Sequence, residues 1–277
     1  MKPAPFIYDR PHGLSATLAM LAEGNGVAKV MAGGQSLGPM LNLRLVAPER
    51  IIDITAIPEL KQAEICGDEL VLGACITHAD IEDGRVSDVT RGAMRGVAAN
   101  IAYRAVRNRG TVGGSLSHAD PSADWLSALA ALGGSVMLSS PTGTRKVAIA
   151  EFATGALQSC LRPAELVVSI HIPTRAASAQ WGYVKTCRKT GEFAHALCAV
   201  LIDPDQGVAR IVIGAIDAAP ILVPRPEEMF GGRIAADYKQ TFDARAGDRL
   251  LAAAGITDAV HRHIHLTVLK RAIGEAA

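Results

Sequence analysis

Apolar residues recur at helical spacing through residues 14–24, LSATLAMLAEG, which predicts a helix with Ser15 as its N-cap and Gly24 as its stop. The apolar run AKVM that follows reads as a short strand. MLNLRLVAPERIIDI then supplies a helical turn and a second strand, IIDI, with Pro48 between them. These pieces make a small β–α–β unit ending near Thr55. From Pro58 the pattern shortens, and EICGDELVLGACITHADI predicts short strands around a Gly-Asp turn. Residues 91–106, RGAMRGVAANIAYRAV, predict one helix terminated by Gly110. Residues 124–132 predict another helix, GGSVMLSSPTGTRKVAI a hairpin around PTGT, and ELVVSIHIP a strand closed by Pro173. Beyond the small-residue linker RAASAQ come three strand patterns, WGYVKTC, ALCAVLID and VARIVIGAI; from about residue 237 the chain reads as helical.

Composition narrows the function classes. Of 277 residues 49% are hydrophobic and 20% charged, enough to bury a large core. The net charge of +1 gives no bulk attraction to nucleic acid or an anionic membrane, and 4% aromatics leave little for stacking on bases. MKPAPFIYDRP has no apolar signal-peptide core, and the alanine-rich stretch at 125–138 is shorter than the ~20 residues a membrane span needs. A cytoplasmic protein with no integral membrane segment is expected. The five cysteines, Cys66, Cys75, Cys160, Cys187 and Cys198, form neither a disulfide framework nor a ferredoxin-like spacing, so no iron–sulfur centre is expected in this chain.

Two glycine-rich segments carry the candidate chemistry: AGGQSL at 32–37 and RNRGTVGGSLSHADPSAD at 107–124. Glycine lets backbone amides approach a ligand without a Cβ in the way, and successive amides pointing into one concavity bind anions. Gly33, Gly34, Gln35 and Ser36 follow a strand, so their amides are expected to face a diphosphate, and Thr111, Val112, Gly113, Gly114 and Ser115 to repeat that arrangement. Neither segment is a dinucleotide fingerprint or a P-loop. The pattern alone points to an anionic cofactor; two tight turns are the plainer alternative. Arg104, Arg107 and Arg109 form a basic run just before Thr111 to Ser115 and could reach phosphates or simply face solvent or a subunit. His261, His263 and His265 lack a matching carboxylate or cysteine and read as a polar helix face or subunit contact rather than a metal site.

AGGQSL, RNRGTVGGSLSHADPSAD and WGYVKTCRKTGEFAHA together resemble the FAD-binding medium subunits of molybdenum hydroxylases, a family that includes aerobic carbon monoxide dehydrogenase and the flavin part of xanthine dehydrogenase. The resemblance covers essentially the whole chain. It implies an α+β fold: a two-lobed FAD-binding domain of the PCMH type, with lobes at about 1–57 and 58–176, and a C-terminal domain at 177–277 with a small antiparallel sheet and helices. It implies FAD held by Lys29, Ala32, Gly33, Gly34, Gln35, Ser36 and Leu37 around the diphosphate and adenosine, with Thr111 to Ser115 as a second clamp. Ile101 is implied as an apolar neighbour of the cofactor, Asp124 as partner of a cofactor hydroxyl, and Leu166 and Val167 as contacts near adenine. Lys185 is implied at the pyrimidine edge of the flavin and Phe193 as its cover, with His118 and Asp120 lining the groove. Ser115 stands where Asn is commoner, Gly38 where an apolar residue is usual, and Phe193 lacks the hydroxyl of the commoner Tyr. The implied partners are a large molybdenum-cofactor subunit and a small subunit with [2Fe–2S] clusters, assembled as a dimer of heterotrimers. Electrons would pass from the clusters to FAD and on to an external acceptor. The alternative is a self-sufficient FAD-dependent oxidase or reductase.

Overall fold

The structure is a computed structural model that describes all residues except Met1, Asn25 and Thr190. The architecture is α+β and is built on three main sheets. The first is parallel, with Arg50–Asp53 between Ile7–Asp9 and Ala28–Met31. The second is antiparallel, in the order Ala63–Cys66, Glu69–Gly73, Leu166–Pro173, Ser135–Ser140, Gly143–Ala148. The third is also antiparallel, Gln180–Thr186, Ala196–Asp203, Val208–Gly214, Ile221–Leu222. The strand Ile7–Asp9 has no sequence signal. It lies among prolines with exposed apolar side chains, and its parallel pairing with Arg50–Asp53 makes it a strand.

The main core lies between the five-stranded sheet and the helices Ala93–Ala99, Val112–His118 and Asp124–Ala131, with Trp125, Leu116 and Leu129 fully buried. A second core forms between the four-stranded sheet and the helix Ala259–Glu275. That sheet is therefore covered on both faces: Ala199 and Val212 join the first core, Cys198, Val200, Ile211 and Ile213 the second. Double burial explains why ALCAVLI reads as an unbroken apolar run rather than an alternating one.

Local details differ from the sequence pattern at four places. Helix Leu14–Glu23 is capped by Gly13, not Ser15, and Thr17 Oγ1 donates to Gly13 O at 3.0 Å. Residues 91–106 form two helices, Ala93–Ala99 and Arg104–Arg107. Arg91 and Gly92 have φ of 54° and 86°, which excludes them from the helix, and Ala102 (φ 42°) breaks it. Arg107 holds the break by donating to the carbonyls of Ile101 and Ala102 while paired with Glu82. Arg104 is likewise spent on Glu82 and Asp83, so neither arginine is free for a phosphate. His265 does not share a polar face with His261 and His263: it is buried, and its Nδ1–H donates to His261 O at 2.9 Å. Among the described residues no helix is long and apolar enough to cross a membrane.

Gly182 fixes how the long C-terminal helix docks. A Cβ there would stand 1.9 Å from Ala272 O. Overpacking of this kind costs roughly 1–3 kcal/mol. Gly182→Ala is therefore expected to lower the thermal midpoint by about 5 °C; a melt indistinguishable from the parent's would show that the helix is not packed on this strand.

Candidate functional site

The strand Ala28–Met31 delivers the chain to Ala32 and Gly33 at the bottom of a cleft. A Cβ on Gly33 would lie 2.0 Å from Arg109 O and 2.8 Å from Gly110 Cα, so the glycine lets two loops touch. Gly34 takes φ of 72°, a left-handed conformation that favours glycine. Gln35 Nε2 donates to Gly33 O at 3.2 Å, and the chain enters helix Leu37–Asn42 through Ser36, which makes no side-chain cap. The amides of Gly34, Gln35, Ser36 and Leu37 find no acceptor among the described residues. Four successive donors left open are available to an anion.

The second glycine segment does not repeat this arrangement. Thr111 Oγ1 caps a helix, Val112–His118, by accepting from Gly114 N at 3.1 Å. The amides of Val112, Gly113 and Ser115 donate to Ile76 O, Ala74 O and Thr111 O. All of these donors are consumed inside the chain. Gly113 is glycine because a Cβ would meet Ala74 O at 2.7 Å, and Val112 is a fully buried core residue that does not line the cleft. This segment contributes the bare face of Gly114 and the side chains of Thr111, Ser115 and His118.

The third wall joins the C-terminal sheet to helix Asp124–Ala131. Asp124 does not cap that helix, whose N-cap is Ala123. Its Oδ1 accepts from Lys185 Nζ at 2.6 Å and from the Tyr183 hydroxyl. Lys185 Nζ also donates to Asn100 O at 2.8 Å. Tyr183 is partly buried; burial first, then the Asp124 charge, pushes its phenol well above the ordinary range, so it stays a donor. Phe193 stands 70% exposed at the rim. Nearby Tyr103 lies against Gly191, where a Cβ would be 2.4 Å from its ring.

One cavity of about 520 Å³ runs between these walls. It brings together Lys29, Ala32, Gly33, Gly34, Gln35, Ser36, Leu37, Ile101, Thr111, Gly113, Gly114, Ser115, His118, Asp120, Asp124, Leu166, Val167, Lys185 and Phe193; of the residues the resemblance implies as cofactor contacts, Val112 is left outside, and Arg104, Arg107 and Arg109 do not line it either. Its volume suits a cofactor. Open amides at one wall, a Lys–Asp pair at another and apolar Ile101, Leu166 and Val167 between suit an elongated ligand with a diphosphate and rings, which is the chemistry of FAD. Among the described residues no three His, Cys, Asp or Glu side chains are grouped to hold a metal ion.

Several lining residues, among them Met31, Met40, Ile54, Leu161 and Glu165, escape the sequence reading, and so do two residues whose side-chain contacts shape the site. Tyr183 is one. It shares a strand face with Lys185 at i, i+2, a signal available in WGYVKT. His78 is the other. It opens helix His78–Glu82, whose capping box of Thr77 and Asp80 is legible in THAD. Its contact with Trp125, 47 residues away, is not. Burial, aided by the Arg107 charge, pushes the His78 imidazole down to about 4, so it is neutral at pH 7.

Known proteins share this construction. The family model for the FAD binding domain in molybdopterin dehydrogenase matches residues 4–175. Caffeine dehydrogenase subunit beta of Pseudomonas sp. (strain CBB1) is 35% identical over 237 residues, covering 84% of this chain and 80% of that protein. The carbon monoxide dehydrogenase medium chain of Hydrogenophaga pseudoflava is 35% identical over 234 residues, again 84% of this chain and 80% of that one. A solved structure of carbon monoxide dehydrogenase from the same organism, lacking the Mo-pyranopterin moiety of its molybdenum cofactor, superposes with a TM-score of 0.89 at 30% identity, covering 99% of this chain and 98% of that one.

Proposed function

The chain belongs to the FAD-binding medium subunits of the molybdenum hydroxylase family, and from that premise we propose that it relays electrons from the [2Fe–2S] clusters of a partner subunit, through FAD, to an external acceptor. The observation that supports this most is the cavity's composition: an anion nest, an apolar middle and a Lys–Asp pair. Bound FAD supplies the ability to accept electrons singly and release them as a pair.

In this reading the chain's own residues bind and orient. The amides of Gly34 to Leu37 take the diphosphate. Thr111, Ser115 and Gly114 bound the opposite side, by hydroxyls and open surface rather than by free amides. Lys185 holds positive charge beside the flavin, fixed by Asp124 and Asn100 O; a positioned cation favours extra electron density on a neighbouring ring. Phe193 covers the flavin at the exposed rim. The lobes at 1–57 and 58–176 clasp the dinucleotide, and residues 177–277 close over the flavin. A large molybdenum subunit and a small iron–sulfur subunit complete a heterotrimer, which pairs as a dimer of heterotrimers.

Mixing tests the relay. The flavin in the reconstituted chain is expected to be bleached by the reduced iron–sulfur subunit and not by organic substrates offered to the chain alone. Turnover of such a substrate by the isolated chain would contradict the relay and favour a self-sufficient oxidase.

A further inference from the structure

We propose that His78 contacts the cofactor directly, its Nε2–H donating a hydrogen bond to an oxygen of the dinucleotide from beneath the first glycine loop. The inference rests on the FAD reading of the cavity and adds a residue to it. Its basis is a donor with a fixed orientation and no acceptor among the described residues.

Trp125 Nε1–H can only donate, and it does so to His78 Nδ1 at 3.0 Å. Trp125 is fully buried in the main core, so the bond is held on a rigid element. With Nδ1 accepting, the neutral ring must carry its proton on Nε2. Nε2 has no partner among the described residues, although His78 is only 5% exposed; it is not among the sealed unpaired atoms, and the residue lines the cavity. The N–H of a ring held this firmly, reaching the cavity with no acceptor among the described residues, is a donor available to a bound ligand.

The local packing shows what that edge faces. A Cβ on Gly110 would lie 2.8 Å from His78 Nε2 and 2.9 Å from Cδ2, so only glycine leaves room for the ring. The amide of His78 donates to Gly110 O at 2.9 Å, tying the two together. Gly110 Cα in turn is the atom that a Cβ on Gly33 would strike. His78, Gly110 and Gly33 are thus stacked in order, and the imidazole edge lies behind the loop whose amides are open. A protonated ring would turn Nδ1 into a second donor facing the Trp125 N–H. The site therefore requires the neutral form, and the donor it offers adds no charge to the nest.

Nitrogen-15 NMR of the full chain, titrated with FAD, tests the contact. Without FAD the ring is expected to give the pattern of a neutral Nε2–H tautomer. With FAD bound, the Nε2–H proton is expected to move downfield and to exchange more slowly with solvent. His78→Leu is expected to weaken FAD binding about tenfold, and His78→Gln, which places an amide donor near Nε2, to regain most of it. Flavin bound with the Nε2 resonance unmoved would overturn the contact while sparing the cofactor reading. An unmodified chain that binds no FAD would overturn both.

Discussion

Gly33→Ala is expected to abolish stable FAD binding, raising the dissociation constant at least about 100-fold, equivalent to about 2.7 kcal/mol. The added methyl would stand 2.0 Å from Arg109 O and 2.8 Å from Gly110 Cα. Both are backbone atoms in a loop anchored elsewhere, by Gly110 O to His78 N and by Arg109 N to Val106 O, so neither can swing aside as a side-chain tip would. The first loop must lift, and the open amides of Gly34 to Leu37 lift with it. Alignment errors below an ångström suffice to lose a preorganised set of hydrogen bonds. Gly38 provides the control. A Cβ there meets nothing within 4 Å, and its amide already serves helix Leu37–Asn42 by donating to Gly34 O. Gly38→Ala should bind FAD as the parent does and gain about 0.5–1 kcal/mol of stability from helix propensity. Flavin-fluorescence titration of the two variants checks both; equal affinities would mean that the loop contact is not what holds the nest.

The second large effect falls on stability. Asp124→Ala removes the acceptor shared by Lys185 and Tyr183 and leaves an ammonium and a phenol without it where side-chain exposures are only 15% for Lys185 and 10% for Asp124. Breaking a fully buried pair costs about 3–5 kcal/mol; discounted because this one borders the cavity, about 2–4 kcal/mol is expected, or a fall of roughly 5–10 °C in the thermal midpoint. Lys185→Met should restore part of the loss when added to Asp124→Ala, because no unpaired ammonium remains. The double-mutant cycle measures that coupling. Additive losses would show that the pair does not join the C-terminal sheet to the helix beneath the cavity.

The parts of this fold that were legible in the sequence are those set by local pattern. The turns at Gly67-Asp68 and at Pro141 to Thr144, the strand Ala28–Met31 ahead of its glycines, and the apolar runs of the third sheet follow from periodicity and turn chemistry. What the sequence hid is set by partners far along the chain. Thr111 to Ser115 read as a second anion loop because their glycines are visible, whereas the acceptors that occupy their amides, Ala74 O and Ile76 O, are not. The continuous helix expected over 91–106 fails because Arg107 and Glu82 hold open a break that propensity alone does not reveal. His265 has the polarity of a surface residue but the position of a core one on its helix. Lys185 and Asp124 were each singled out, yet nothing local says that they bind one another or that Tyr183 joins them. His118 drew attention because it lies beside the glycines; His78 did not, because its tautomer is fixed by an indole nearly fifty positions away in the chain.

The central claim is that the open amides of residues 34–37 are where the diphosphate sits. A crystal structure of the full chain loaded with FAD tests it most directly. The diphosphate oxygens are expected within hydrogen-bonding distance of at least two of the amides of Gly34, Gln35, Ser36 and Leu37, with the flavin beside Lys185. A diphosphate bound elsewhere, with those four amides still without a partner, would contradict the account.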